Sequence, residues 1–156
     1  MSDMLVKLYQ LPSTQVFIKL AAAAVQIRPA MAPEKRLVCA WITRHFGEQW
    51  ASEAEVAFSR QPCSIVLAVQ GQQLLGFGCY DATCKGFFGP TGVDEEHRGQ
   101  GIGEGLLFMC LQSMRAQGYG YAVIGAAGPK EFYHAKVGAM EIADSVPGIY
   151  QGMLSE

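Results

Sequence analysis

The chain has 156 residues, half of them hydrophobic and 17% charged, with a formal net charge of -2. That composition fits one soluble globular domain spanning 1–156, with enough apolar material for a core, and excludes a disordered tail. The near-neutral charge provides no general field for nucleic acid, so none is expected as a partner and any ligand has to be read from a site.

In chain order, "MLVKLYQL" (4–11) alternates as a strand does, Pro12-Ser13 breaks it, and 14–22 suit a short helix, so 1–24 read as a strand-helix extension. A strand at "VQIRP" leads to Pro33, which opens a helix to about Phe46, where Gly47 stops it. A second helix runs from about Gln49 to Ser59, with Trp50, Ala54, Ala57 and Phe58 spaced for one face. The period then changes: "CSIVLAV" (63–69) and "QLLGFGCYDAT" (73–83) form a hairpin around "QGQ". "KGFFGPTGV" (85–93) is a third strand in which Pro90 lacks a donor, so a bulge or an edge is expected there. A helix from about Gly101 to Gln117, a strand "YAVIGA" (121–126) buried on both faces, and a helix over 130–137 ended by Gly138 follow. "AMEIAD" and "GIYQGML" close the fold as two short strands, whose exposed edges allow a homodimer. Strand, glycine turn, helix and buried strand make a β-α-β unit, so the fold class is mixed α+β with one parallel pair in a mixed sheet.

"RGQGIG" (98–103) sits at the strand-to-helix turn. Bare backbone there lets the main chain approach a ligand, and the first turn of a helix offers unpaired N–H groups with partial positive charge. The turn is therefore either an anion site for a phosphate or a place of close helix packing. Position 104 is Glu and position 106 is Leu, which removes the Gly-x-Gly-x-x-Gly dinucleotide fingerprint, and no Gly-Lys-Ser/Thr exists for a nucleotide-hydrolysing loop.

Arg98-Gly99-Gln100-Gly101-Ile102-Gly103 matches Gln/Arg-x-x-Gly-x-Gly/Ala. This resembles motif A of the GNAT superfamily of acyl-CoA-dependent N-acyltransferases, and the element order from about residue 25 onward resembles the whole GNAT domain, with a motif core at about 63–143. The resemblance implies acetyl-CoA as co-substrate. Backbone N–H groups of 98–103 (Arg98, Gly99, Gln100, Gly101, Ile102, Gly103) would bind the pyrophosphate, and Thr91, Gly92 and Val93 would pair with the pantetheine arm. The thioester would lie where this strand splays from the one at 121–126. In "EFYHAKVGAMEI", Tyr133 before Gly138-Ala139 matches the family's tyrosine, although four residues intervene before Gly138, one more than in its commonest pattern. Gly128-Pro129 stands where many members carry Asn.

Acyl transfer to an amine needs a neutral nucleophile and a proton for the departing thiolate. Tyr133 suits the second task as general acid, with packing beside Phe132 as its other reading. A lysine-like amine of pKa about 10.4 costs roughly 4 kcal/mol to neutralise at pH 7.4, whereas an α-amine near 7.8 costs under about 1. Candidate bases are Glu53, Glu55 and Asp81, with Glu55 taken forward. Trp41, Trp50 and Phe58 are either core or lining of an acceptor pocket. The expected activity is acetylation of a primary amine on a small molecule or peptide. A non-catalytic acyl-CoA-binding module and a generic phosphate-binding domain are the rivals. Five cysteines without a Cys-x-x-Cys pair fit a reduced, cytoplasmic protein, and three scattered histidines lead to no metal expectation. The apolar run "VFIKLAAAAV" (16–25) is too short to span a bilayer and carries Lys19, so no membrane partner is expected, and without asparagine no N-glycosylation site exists.

Overall fold

The computed structural model describes residues 1–156. In chain order the elements are β1 (Met4–Lys7), α1 (Val16–Ala22), β2 (Val25–Pro29), α2 (Lys35–Phe46), α3 (Glu48–Ser59), β3 (Ile65–Gln70), β4 (Gln73–Tyr80), β5 (Phe87–Val93), α4 (Ile102–Ala116), β6 (Tyr121–Ile124), α5 (Lys130–Val137) and β7 (Met140–Glu141). The strands form one sheet in the order β2-β3-β4-β5-β6-β1-β7. Every neighbouring pair is antiparallel except β5 and β6, which flank α4 as the expected β-α-β unit.

β3 shows why both faces of the sheet are covered. Side chains alternate along a strand, and here both sets are apolar. Ile65 and Leu67 join one core with Val38, Trp41 and Ile42 of α2 and Ala54 of α3. Val66 and Ala68 join the other with Leu20 of α1 and Leu106, Leu107 and Leu111 of α4. Fully burying each of the valine, leucine and isoleucine side chains among them stabilises the fold by about 1.5–3 kcal/mol. Two layers result, α2–α3 on one face and α1, α4 and α5 on the other. No helix is long and apolar enough to cross a membrane.

Several boundaries differ from the sequence expectations. The first strand stops at Lys7 and becomes a 3-10 turn, Leu8–Gln10. β4 ends at Tyr80 because Asp81 takes φ +54. β6 ends at Ile124, short of the left-handed Ala126, and Tyr121 is exposed, so this strand is not buried throughout on both faces. The largest correction concerns the chain's end. "AMEIAD" contributes two strand residues, and "GIYQGML" is a 3-10 turn at Gly148–Tyr150 instead of a strand. Gly148 and Gly152 adopt φ +62 and +76 and bend the chain. The ladder place beside β6 is already filled by β1, paired from Met4↔Ile124 to Lys7↔Tyr121, and β7 pairs with the other side of β1.

Candidate active site

The site begins where the sheet opens. β5 and β6 pair only at Phe87↔Val123 and Phe88↔Ile124, after which β5 continues along β4 alone. Gly89 has φ +120, Pro90 has no N–H to donate, and the β4–β5 register shifts between Gly78 and Tyr80. The bulge expected at Pro90 is therefore what parts the strands. Main-chain groups of 91–93 keep a strand neighbour on one side only. The Thr91 hydroxyl is engaged, donating to Phe77 O at 3.0 Å. A cleft of about 880 Å³ passes through this gap, lined from both helical layers.

At one end lies the glycine turn. Gly99 and Gly101 have φ +80 and +88, left-handed values that favour glycine. The first hydrogen bond of α4 runs from Gly105 N–H to Gly101 O at 3.0 Å, so the N–H groups of Ile102, Gly103 and Glu104 have no intrahelical acceptor. Gly105 serves another purpose: a Cβ there would stand 2.6 Å from Leu20 Cδ1 and 3.3 Å from Ile27 Cγ1, so this glycine permits helix packing. Two cations line the turn side, Arg98 and Lys19 of α1, neither in an ion pair. Lys19 Nζ lies 3.6 Å from where a Cβ on Gly101 would be. Glu104 is engaged, with Oε1 2.7 Å from Lys136 Nζ and Oε2 accepting from the Thr14 hydroxyl.

Tyr133 of α5 lines the same cleft, 6% exposed, with its ring edge-on to Phe88 (6.3 Å) and Phe132 (5.4 Å). Burial alone pushes its phenol up to about 12, and no protein group hydrogen-bonds its hydroxyl. The loop leading to α5 is held from afar: Ala126 N–H donates to Asp3 Oδ1 at 2.8 Å, and Ala127 N–H donates to Ser2 O at 3.0 Å. Asp3 is itself buried.

Of the residues expected at the site, Thr91, Gly92, Val93, Arg98, Gly99, Gly101, Ile102, Gly103 and Tyr133 line the cleft, whereas Gln100 and Glu55 do not. Glu55 is exposed on α3, which leaves its carboxylate in water away from the opening. Glu53 accepts from the Thr83 hydroxyl, and Asp81 accepts from Tyr119 at 3.0 Å and from Gly86 N–H at 2.8 Å, so both are engaged in structural contacts. Trp50 lines the cleft together with Phe46, while Trp41 and Phe58 do not. His97 also lines it, with Nδ1 3.2 Å from Asp94 Oδ2. Lys19, Asp3, Phe46 and His97 also bear on the site, and the sequence does not mark them for it. Lys19 was visible only as an interruption in an apolar run, and nothing local marks Asp3.

The family model described as the acetyltransferase (GNAT) family matches residues 29–138. No curated protein sequence matches. Among solved structures, the GCN5-related glucosamine N-acetyltransferase region of a fungal multi-domain GH3 β-N-acetylglucosaminidase aligns with a TM-score of 0.75 at 13% identity, over 90% of this chain and 19% of that one. A GCN5-related N-acetyltransferase from Sphaerobacter thermophilus aligns with a TM-score of 0.66 at 20% identity, over 90% of this chain and 48% of that one. This chain thus spans less than half the length of either. A GNAT family acetyltransferase from Brucella melitensis, in complex with acetyl-CoA, gives 0.56 at 19% identity over 71% and 80%. These likenesses show a shared fold, and the match over residues 29–138 shows that the chain belongs to the acetyltransferase (GNAT) family.

Proposed function

We propose that this chain transfers an acetyl group from acetyl-CoA to a primary amine. The observation that carries the reading is one continuous cleft that joins the donor-rich glycine turn to the unbonded Tyr133 hydroxyl through the β5–β6 gap. Free N–H groups of the turn hold the pyrophosphate, with Arg98 and Lys19 adding charge. The one-sided main chain of 91–93 holds the pantetheine arm. The amine enters from the α2–α3 side, where Phe46 and Trp50 stand.

In the reaction the amine nitrogen attacks the thioester carbonyl carbon, the C–N bond forms, the C–S bond breaks, and the proton lost by nitrogen ends on sulfur. Tyr133 acts as general acid at that sulfur. A phenol near 12 gives its proton to a thiolate of about 8.5 uphill by roughly 3.5 units, about 5 kcal/mol. Donation is therefore coupled to proton loss from the attacking nitrogen, and the hydroxyl is reprotonated in the same step. Glu104, the carboxylate of the cleft, is held by Lys136 and Thr14, so water takes the proton from nitrogen and passes it on to the Tyr133 oxygen. Five free cysteines, with Cys79 and Cys110 fully buried, suit a reducing compartment such as the cytoplasm.

Parallel calorimetric titrations with CoA, acetyl-CoA and ADP test the cofactor site, and Tyr133→Phe tests the chemistry. CoA and acetyl-CoA bind clearly more tightly than ADP, and the variant loses about 10²-fold or more in kcat with unchanged affinity for CoA. Full rate in Tyr133→Phe refutes the general acid. Absence of any turnover with intact CoA binding identifies an acyl-CoA-binding module.

A further inference from the structure

Building on the acetyltransferase reading, we infer that the acceptor is a flat, weakly basic aromatic amine. The α2–α3 side of the cleft carries an aromatic wall with no anion in it. Phe46 lies flush on the β5 backbone, its ring atoms 2.5–3.0 Å from where a Cβ on Gly92 would be. Trp50 stacks on Phe46 at 5.1 Å and 26°. Buried Phe77 braces both from behind, 5.9 Å from Phe46 and 6.2 Å from Trp50. This is a rigid plane beside the gap where the thioester would lie.

The charged lining points the same way. Apart from His97, the charged residues of the cleft are Lys19, Arg98, Lys136 and Glu104. Glu104, the one carboxylate, is spent on Lys136 and Thr14. With Arg98 and Lys19 given to the pyrophosphate and Lys136 to Glu104, an ammonium acceptor would find no free carboxylate in the cleft to hold it. An alkyl amine of pKa about 10.4 is neutral in only about one molecule in a thousand at pH 7.4. Attraction between a cation and the Trp50 face stabilises the protonated form and so does not supply the nucleophile. An arylamine has its lone pair delocalised into the ring, remains neutral, needs no base, and presents a face to stack on Trp50.

The test follows CoA thiol release with aniline, benzylamine, cyclohexylamine, spermidine and glucosamine at pH 7.4, alongside acetyl-CoA binding. Aniline is expected to give the highest kcat/KM, with at least about tenfold preference over cyclohexylamine and spermidine. Benzylamine separates the ring from the basicity and is expected between them. Trp50→Ala raises the aniline KM by about 2- to 10-fold, the size of one aromatic contact, leaves the acetyl-CoA KM unchanged, and Trp50→Phe restores it. Phe46→Leu gives the same reading if Trp50→Ala does not fold. Preference for spermidine or glucosamine, or acetyl-CoA binding without arylamine turnover, overturns the inference and leaves the cofactor site standing. Failure to bind acetyl-CoA overturns both.

Discussion

Gly101→Ala separates ligand binding from packing at the glycine turn. The residue has φ +88 and ψ 5, a left-handed conformation that costs a residue with a Cβ about 1–2 kcal/mol. The new methyl would also stand 3.3 Å from Val16 Cγ2, close enough that one of them shifts. For a chain of this length that strain lowers Tm by about 2–8 °C. Relief of the strain tilts the first-turn N–H groups away from their common focus. One hydrogen bond to a charged group contributes about 1.5–3 kcal/mol, so loss of one raises the Kd for CoA by about 10- to 150-fold. Gly105→Val is the comparator. It overpacks against Leu20 Cδ1 and Ile27 Cγ1, costs about 1–3 kcal/mol, and leaves CoA affinity within about threefold in the folded fraction. Calorimetric titration and thermal melts on the same preparations read both effects. If Gly101→Ala lowers Tm with Kd unchanged, or if Gly105→Val weakens CoA as much, the turn serves packing and the anion site falls.

Lys19→Met weakens CoA by a few-fold at low salt, a difference that fades by 1 M salt, where the screening length is about 3 Å, as a titration series shows. Asp3→Ala removes the acceptor of Ala126 N–H at the loop lining the cleft, costs about 1–3 kcal/mol in denaturant unfolding and slows turnover, and Asp3→Asn keeps part of both. Arg28 donates from Nη1 and Nη2 to the two carboxylate oxygens of Glu34 at 2.9 and 2.6 Å and holds the Glu34 carboxyl down at about 2 against an ordinary 4.5. That depressed value adds stability above about pH 4.5, lost as pH falls toward 2. The wild type therefore exceeds Arg28→Met by about 1 kcal/mol or less at neutral pH, and the gap closes over that acid window in pH-dependent melts.

The parts of the site legible in the sequence are those with a local cause. Pro90 and Gly89 spoil a ladder wherever they fall, Gly99 and Gly101 mark a left-handed turn before a helix, and Tyr133 is placed by the short helix between Pro129 and Gly138. What failed to show depends on partners chosen across the chain. "GIYQGML" and "MLVK" are both plausible strands, and no local pattern says which one takes the place beside β6. Asp3 meets Ala126 only because β1 does take it. Helix geometry sets Glu55 apart from the cleft. With Trp50 facing the cleft, a residue five positions on points about 140° away, whereas Glu53 points within about 60°. Periodicity fixed the inward face of α3 but could not say that Thr83 would already hold Glu53.

Cofactor and acceptor would be recognised in the cleft by different kinds of group. The turn and the one-sided strand would recognise a cofactor through main-chain groups, which tolerate almost any side chain that permits the backbone path. Solved structures at 13% and 20% identity share this fold over 90% of the chain. Side chains that tailor this cleft come from elsewhere. Lys19, Asp3 and Met1 precede residue 29, where the family match begins, yet all bear on the site: Lys19 and Met1 line the cleft, and Asp3 holds the loop that lines it. The aromatic wall of Phe46 and Trp50 lies within the match but uses positions where only an apolar helix face is required for folding. A change of charge at Lys19 should alter cofactor affinity, and a change of ring at Phe46 or Trp50 should alter acceptor choice. Crossing Lys19→Met with Trp50→Ala checks this: independent sites give additive losses in kcat/KM within about 0.5 kcal/mol, and a larger coupling would mean that both groups hold the same ligand.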